Sequence, residues 1–171
     1  AARYALVMMQ GPVIIFEFEG NEFLSNHNPL ITEVRTAITY LYFIAGEFSK
    51  RKAKIWAKEI AEIVTQFGHG NKRLALDHCA TEGVHQLEEQ GLELANGEEV
   101  IELARLIKSE DEIVAMRRSI FACEKSIKIM RSHCEPGITE QKLWSHFQME
   151  AVSRGAEWIE TRLLAAGPRA N

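Results

Sequence analysis

Apolar and β-branched residues gather in short runs over the first part of the chain. Tyr4 to Met9 and Val13 to Phe18 are two such runs, joined by Gly11-Pro12, and they predict a β-hairpin with a tight turn. Asn21 to Asn28 is polar and loop-like, with Phe23 and Leu24 placed for a short strand. Val34 to Phe43 is rich in β-branched and aromatic residues and predicts another strand.

The period then lengthens. Ala53, Trp56, Ala57, Ile60, Ile63, Val64 and Phe67 recur at helical spacing, with lysines and glutamates opposite, so they form one apolar helix face. Ser49 is placed to cap the start of this helix, and Gly68 to take the left-handed position past its end. Arg73 to Asp77 reads as a short buried strand, and Thr81 to Gln90 as a weaker helix closed by Gly91. Strand, strand, strand, helix, strand, helix is the order of a sheet packed on helices, an α/β lobe.

A boundary falls near Asn96-Gly97, dividing the chain into 1–97 and 98–171. Beyond it, Glu98 to Lys108 reads as a bridging helix. Ser109 and Glu112 then form a capping box, in which each side chain satisfies an orphan backbone N–H at a helix start. Ile113, Met116, Ile120, Cys123, Ile127, Met130 and Cys134 follow at alternating intervals of three and four. They predict a long helix with one continuous apolar stripe turned toward a core. Pro136-Gly137 ends it, because proline cannot continue a helix and glycine permits the turn. Thr139 caps a further helix that buries Leu143, Phe147 and Ala151 and ends near Gly155. Trp158 to Leu164 reads as a last strand, ending in Gly167-Pro168.

Composition narrows the classes. The chain has 171 residues, 46% hydrophobic and 26% charged, with a net charge of -4. That is an ordinary soluble globular composition, and it offers no electrostatic reason to expect nucleic acid or an anionic membrane. The basic run Lys50, Arg51, Lys52 and Lys54 is read as a solvated helix face. No apolar run reaches the roughly 20 residues of a spanning helix. The start at Ala1, without Met or a signal-type stretch, and the stop just after Gly167-Pro168 give the expectation of a fragment of a longer chain. Cys79, Cys123 and Cys134 are an odd set without metal-type spacing, which predicts reduced thiols in a cytoplasmic protein.

Chemistry is sparse. There is no Gly-rich phosphate loop, no Gly-x-Ser-x-Gly elbow and no His-Glu-x-x-His helix. His78, Cys79 and His85 come nearest to a ligand cluster, but neighbours in a strand face opposite sides, so a polar strand end with a packed Cys79 is the reading. His133 suits the negative end of a helix dipole, and Cys134 reads as a small core residue. Glu157 and Glu160 are read as solvated edge charges. Trp56, Trp144 and Trp158 are read as packing residues, with Trp158 also placed to line a pocket near the Gly-Pro loop. No catalytic residue and no metal ligand is assigned within the chain.

One resemblance organises these pieces. Arg105, Ile107, Lys108, Ser109, Glu112 and Ile113 match the R-x-I-K-S-x-x-E-I stretch that opens the catalytic domain of the pita-bread family of creatinase, prolidase and aminopeptidase P. Pro136, Gly137, Thr139 and Glu140 match the P-G-x-T-E that links that domain's first two helices. Residues 1–97 more loosely resemble the creatinase-type N-terminal lobe, a ribonuclease H-like mixed sheet with helices. The resemblance implies an α/β lobe followed by the first helices and strand of a pita-bread α+β domain. It also implies two divalent metal ions (iron, manganese, zinc or cobalt), held by two Asp, one His and two Glu beyond Asn171.

The closing residues 160–171 distinguish branches of the family. Its proline-specific peptidases usually carry Gly-Pro-Asn here, followed by a His; this chain has Gly167-Pro168-Arg169 and no His. It looks closest to the family's dimethylsulfoniopropionate lyases, in which a base removes the proton alpha to the carboxylate and dimethyl sulfide leaves. Trp158, Gly167, Pro168 and Arg169 are then expected on the rim of the substrate pocket. The resemblance implies a small-molecule substrate, or a short peptide on the peptidase reading, and a homodimer. A metal-dependent Xaa-Pro peptidase and a non-catalytic binding protein of the same fold stay as alternatives.

Overall fold

Tyr4–Val7 (β1) and Val13–Glu17 (β2) pair antiparallel, with Tyr4 opposite Phe16 and Val7 opposite Val13. The predicted hairpin forms, but its turn is the longer loop Met8 to Pro12, closed by the Met8 N–H on the Pro12 carbonyl at 3.4 Å. In the computed structural model the described residues are 3–170, apart from the side chain of Arg169. Glu33–Thr36 (β3) adds parallel to β2, giving a mixed three-stranded sheet in the order β1-β2-β3.

Two local expectations differ here. Glu22–Ser25 is a 3₁₀ turn rather than a strand. The strand expected over Val34 to Phe43 stops at Thr36, because β2 offers a ladder only as far as Glu17. Tyr42–Ala45 then forms one helical turn (α1).

Ser49–Phe67 (α2) buries Ala53, Trp56, Ala57, Ile60, Ile63 and Val64, the face its spacing announces. These side chains form one core with Leu6, Ile14 and Phe16 of the sheet. Burying a side chain the size of Ile14, Phe16 or Ile63 contributes about 1.5–3 kcal/mol. Ser49 does not cap α2. A 3₁₀ turn over Gly46–Phe48 runs straight into the helix, and the Ser49 hydroxyl donates instead to the Tyr40 carbonyl at 2.5 Å. Gly68 also stays right-handed at φ -83. The reversal is carried by His69 at φ 48 and Gly70 at φ 88.

Arg73–Leu76 (β4) pairs in parallel with Glu93–Asn96 (β5), a strand that the sequence reading did not anticipate. Thr81–Glu89 (α3) crosses between them and seats Leu87 in the common core. The single sheet expected for this lobe is therefore two small sheets. Glu98–Leu106 (α4) follows and buries none of its residues.

By compactness the chain divides between Leu106 and Ile107. The expected boundary at Asn96-Gly97 falls ten residues earlier, between β5 and α4. The second unit is a helical hairpin. Glu110–Ser132 (α5) starts at the Ser109–Glu112 capping box, with both reciprocal bonds made. Glu140–Ser153 (α6) starts at Thr139, whose side chain accepts from the Lys142 N–H. Pro136 and Gly137, the latter at φ 91, turn the chain between them. Phe147 and Ala151 are buried as expected, and Leu143 is half-buried.

The apolar stripe of α5 is not buried. Ile113, Met116, Ile120 and Ile127 are 41–54% exposed, and Cys123 and Cys134 are exposed as well. In this unit α5 meets α6 through the neighbouring face, where Ser126 is fully buried and donates to the Ala122 carbonyl. Trp158 to Leu164 does not form the expected strand. A strand requires a ladder partner, and the described residues of this unit contain no strand at all. The segment is tethered by side chains instead: Arg162 donates to Gln141 at 2.6 Å, and the Ala166 N–H to the Glu140 carboxylate at 2.7 Å.

Candidate functional site

The polar groups buried in the first unit are structural. Glu17, on β2, is 2% exposed and is answered by the Arg3 guanidinium at 2.9 Å and by the Ser25 hydroxyl. Tyr4 stacks on Phe16 at 4.4 Å and meets Trp56 edge-on at 6.2 Å. The Tyr4 hydroxyl lies beside the Trp56 indole N–H without reaching hydrogen-bond geometry. Burial, then the nearby Glu59, pushes the Tyr4 phenol well above its usual range. Burial, then Cys79, does the same to Tyr40. Both phenols stay protonated at neutral pH and serve as packing groups.

The His78–Cys79 region behaves as its sequence suggested. His78 is exposed and faces Asp77 at 3.2 Å. Cys79 turns the other way, packs against the core and meets the Tyr40 hydroxyl at 3.4 Å.

The elbow between α5 and α6 gathers more chemistry. An open cavity of about 600 Å³ is lined by His133, Glu135, Thr139, Lys142 and His146 among others. The rings of His133 and His146 stack with centroids 3.9 Å apart and planes 12° from parallel. His133 Nδ1 lies 2.9 Å from the Ile129 carbonyl, so that nitrogen carries the proton and the imidazole closes the last turn of α5. This is the capping role expected for it. His146 is held below its ordinary value of 6.5 by desolvation, then by His133 and Lys142. The His146 imidazole, disfavoured as a cation, can accept or donate a hydrogen bond at the cavity wall beside the Lys142 ammonium.

A second cleft, of about 610 Å³, opens along α5 and α6 and is lined by Val114, Arg117, Arg118, Phe121, Ser153 and Arg154. Arg154 is ion-paired to Glu150, with Nε 2.7 Å from its carboxylate. The Lys125 ammonium stands 5.1 Å from the centre of the Phe121 ring, and the Arg154 guanidinium 5.8 Å from it.

Neither cleft is lined by the residues expected on a substrate rim. Trp158 is 79% exposed and bonds through its indole N–H to Glu160 at 2.9 Å, so it does not pack as expected. Gly167 and Pro168 form an exposed 3₁₀ turn that ends at Arg169. The side chain of Arg169 lies outside the described residues. Trp144, by contrast, packs on Phe147 with ring centres 4.7 Å apart. Among the described residues, no three His, Cys, Asp or Glu side chains converge where a metal ion could be held. No described helix is long and apolar enough to cross a membrane.

The sequence reading did not single out His146 or the arginine cleft. His146 lies thirteen residues from His133, and only the elbow brings them together. The arginine doublet, with no acidic residue three or four positions away on either side, was a usable signal.

No protein-family model matches the chain. Two curated relatives do. The chain is 38% identical over 174 aligned residues to the dimethylsulfoniopropionate lyase DddP of Roseovarius nubinhibens, an alignment that takes in 99% of the chain and 39% of the relative. It is 39% identical to the dimethylsulfoniopropionate lyase DddP of Roseobacter denitrificans, with the same coverage. The chain thus spans about two fifths of the length of the curated relatives it matches.

Proposed function

We propose that this chain, a relative of the DddP lyases by sequence, is part of a pita-bread enzyme that releases dimethyl sulfide and acrylate from dimethylsulfoniopropionate. The observation that carries this reading is the 38–39% identity sustained over 99% of the chain. The Gly167-Pro168-Arg169 turn agrees with it, since it departs from the peptidase pattern at Arg169.

The described residues do not fit a metal pair, so no step is assigned to a metal held by them. In this reading the divalent ions and their carboxylate and His ligands belong to the part of the enzyme that these 171 residues do not span. When bound there, the metal would supply a fixed positive charge for the substrate carboxylate. The chain's own contribution is scaffolding: the capped α5–α6 hairpin and the Gly167-Pro168 turn at the substrate rim.

The test is an assay of the whole enzyme carrying this chain, supplied with dimethylsulfoniopropionate and, separately, with Xaa-Pro peptides. Dimethyl sulfide and acrylate in equal amounts are expected. Peptide cleavage without sulfide release would replace this reading with a peptidase.

A further inference from the structure

We propose that the cleft around Phe121 is a binding site for an organic carboxylate. Arg117 and Arg118 hold the carboxylate, Arg154 assists at the rim, and the apolar body of the ligand lies against Phe121 and Val114. The proposal is independent of the reaction proposed above.

On a helix surface a cation is ordinarily answered by an acid three or four positions away. Arg117 has Ile113, Val114, Ile120 and Phe121 at those positions, and Arg118 has Val114, Ala115, Phe121 and Ala122. Neither arginine has an ion pair or a side-chain hydrogen bond among the described residues. Along α5 the nearest acids are Glu112, five residues before Arg117, and Glu124, six residues after Arg118, and neither falls at the three- or four-residue spacing that pairs side chains. Lys125 and Arg154 converge on the same ring from two helices. Two cations thus stand at the Phe121 ring and two more, Arg117 and Arg118, line the same cleft, while Glu150 is already ion-paired to Arg154.

Like charges at this spacing repel, and an anion placed among them relieves the repulsion. The guanidinium fork matches a carboxylate through two parallel N–H···O bonds. The cleft also has a wall that a bare ion does not need. Phe121 and Val114 line it, and both are partly exposed. Ser153 adds no free donor, because its hydroxyl donates to the Glu150 carbonyl at 2.8 Å. Guanidinium groups beside an aromatic wall select an anion with an apolar body over inorganic phosphate.

Benzoate is the probe, titrated by ligand-observed NMR into the protein, with benzamide and inorganic phosphate in parallel. Saturable benzoate binding is expected, with phosphate weaker and benzamide silent. The double variant Arg117→Gln, Arg118→Gln should weaken benzoate by about tenfold or more, the size of one charge-assisted bond. Both positions are exposed, so the variant should fold, and circular dichroism checks this. Removing charge from the solvated run on α2, by Lys50→Gln with Lys52→Gln, should change nothing. Absence of saturable binding, phosphate binding as tightly as benzoate, or equal loss in the α2 variant would each overturn the assignment.

Discussion

His133 and His146 stack face to face across the α5–α6 elbow, with ring centres 3.9 Å apart. His133 Nδ1 is held on the Ile129 carbonyl, and Lys142 shares the cavity. A proton arriving on His146 therefore meets an unfavourable site, chiefly through desolvation and then through His133 and Lys142. The folded value lies below the ordinary 6.5, so the unfolded chain binds this proton more readily. Stability from this group is full above pH 6.5 and falls as the pH drops below it. Unfolding midpoints between pH 8 and pH 5 should show a decline that His146→Gln flattens; an unchanged slope in the variant would refute the link.

Gly83 of α3 sits so close to Tyr40 that a methyl group there would overlap the phenol hydroxyl and lie 2.8 Å from Cys79 Sγ. Helix propensity alone makes Gly→Ala favourable by about 0.8–1 kcal/mol. Overpacking a buried site costs about 1–3 kcal/mol. Gly83→Ala should therefore destabilise the protein in urea unfolding. In a Tyr40→Phe background the nearest atom is gone, and the same substitution should cost measurably less. An equal cost in both backgrounds would mean that Tyr40 is not the obstacle.

Ser109 and Glu112 satisfy each other's backbone N–H groups at the start of α5. Ser109→Ala should cost about 0.5–2 kcal/mol, while Ser109→Thr should keep most of the cap. The Glu112 carboxyl is held below its ordinary 4.5, first by the Ser109 backbone N–H and then by the Ser109 side chain. Its contribution is present above that value and is lost as the pH falls through the lower folded value. The helical signal in acid titration should thus fade at higher pH in Ser109→Ala than in the parent protein.

These tests rest on features of unequal legibility. The buried face of α2 and both caps of the helical hairpin follow from rules acting within a few residues, so spacing alone disclosed them. β5 did not announce itself, because Glu93–Asn96 is four residues long and is defined by its pairing with β4, twenty residues earlier. Ser49 was misplaced because a preceding 3₁₀ turn left no cap to fill. The α5 stripe shows the deeper limit: periodicity tells which face is apolar, not whether anything lies against it. Trp158 to Leu164 fails the same way, since strand propensity is idle without a ladder. The arginine cleft joins residues on two helices, and only the hairpin assembles it.

The 171-residue chain by itself should not bind a metal pair. No three ligand-type side chains converge among its described residues, and two isolated imidazoles hold an ion weakly beside a full ligand set. Calorimetric titration with manganese or zinc should show no stoichiometric uptake of two ions. Tight binding of two equivalents would mean that the chain carries its own metal centre and would recast the proposed division of labour.

The exposed stripe of α5 leads to the last expectation. Ile113, Met116, Ile120 and Ile127 lie along one side of the helix, each at least 41% exposed. A contiguous apolar surface of this kind drives association when nothing covers it. The chain alone should therefore self-associate with rising concentration in light scattering. Ile120→Lys with Ile127→Lys places two charges in the middle of the stripe, away from the fully buried Ser126 that marks the α6 contact. The double variant should keep its helical content and scatter less. If scattering persists, association runs through another surface, and the exposed Trp158 and Leu163 of the closing segment are the next to change.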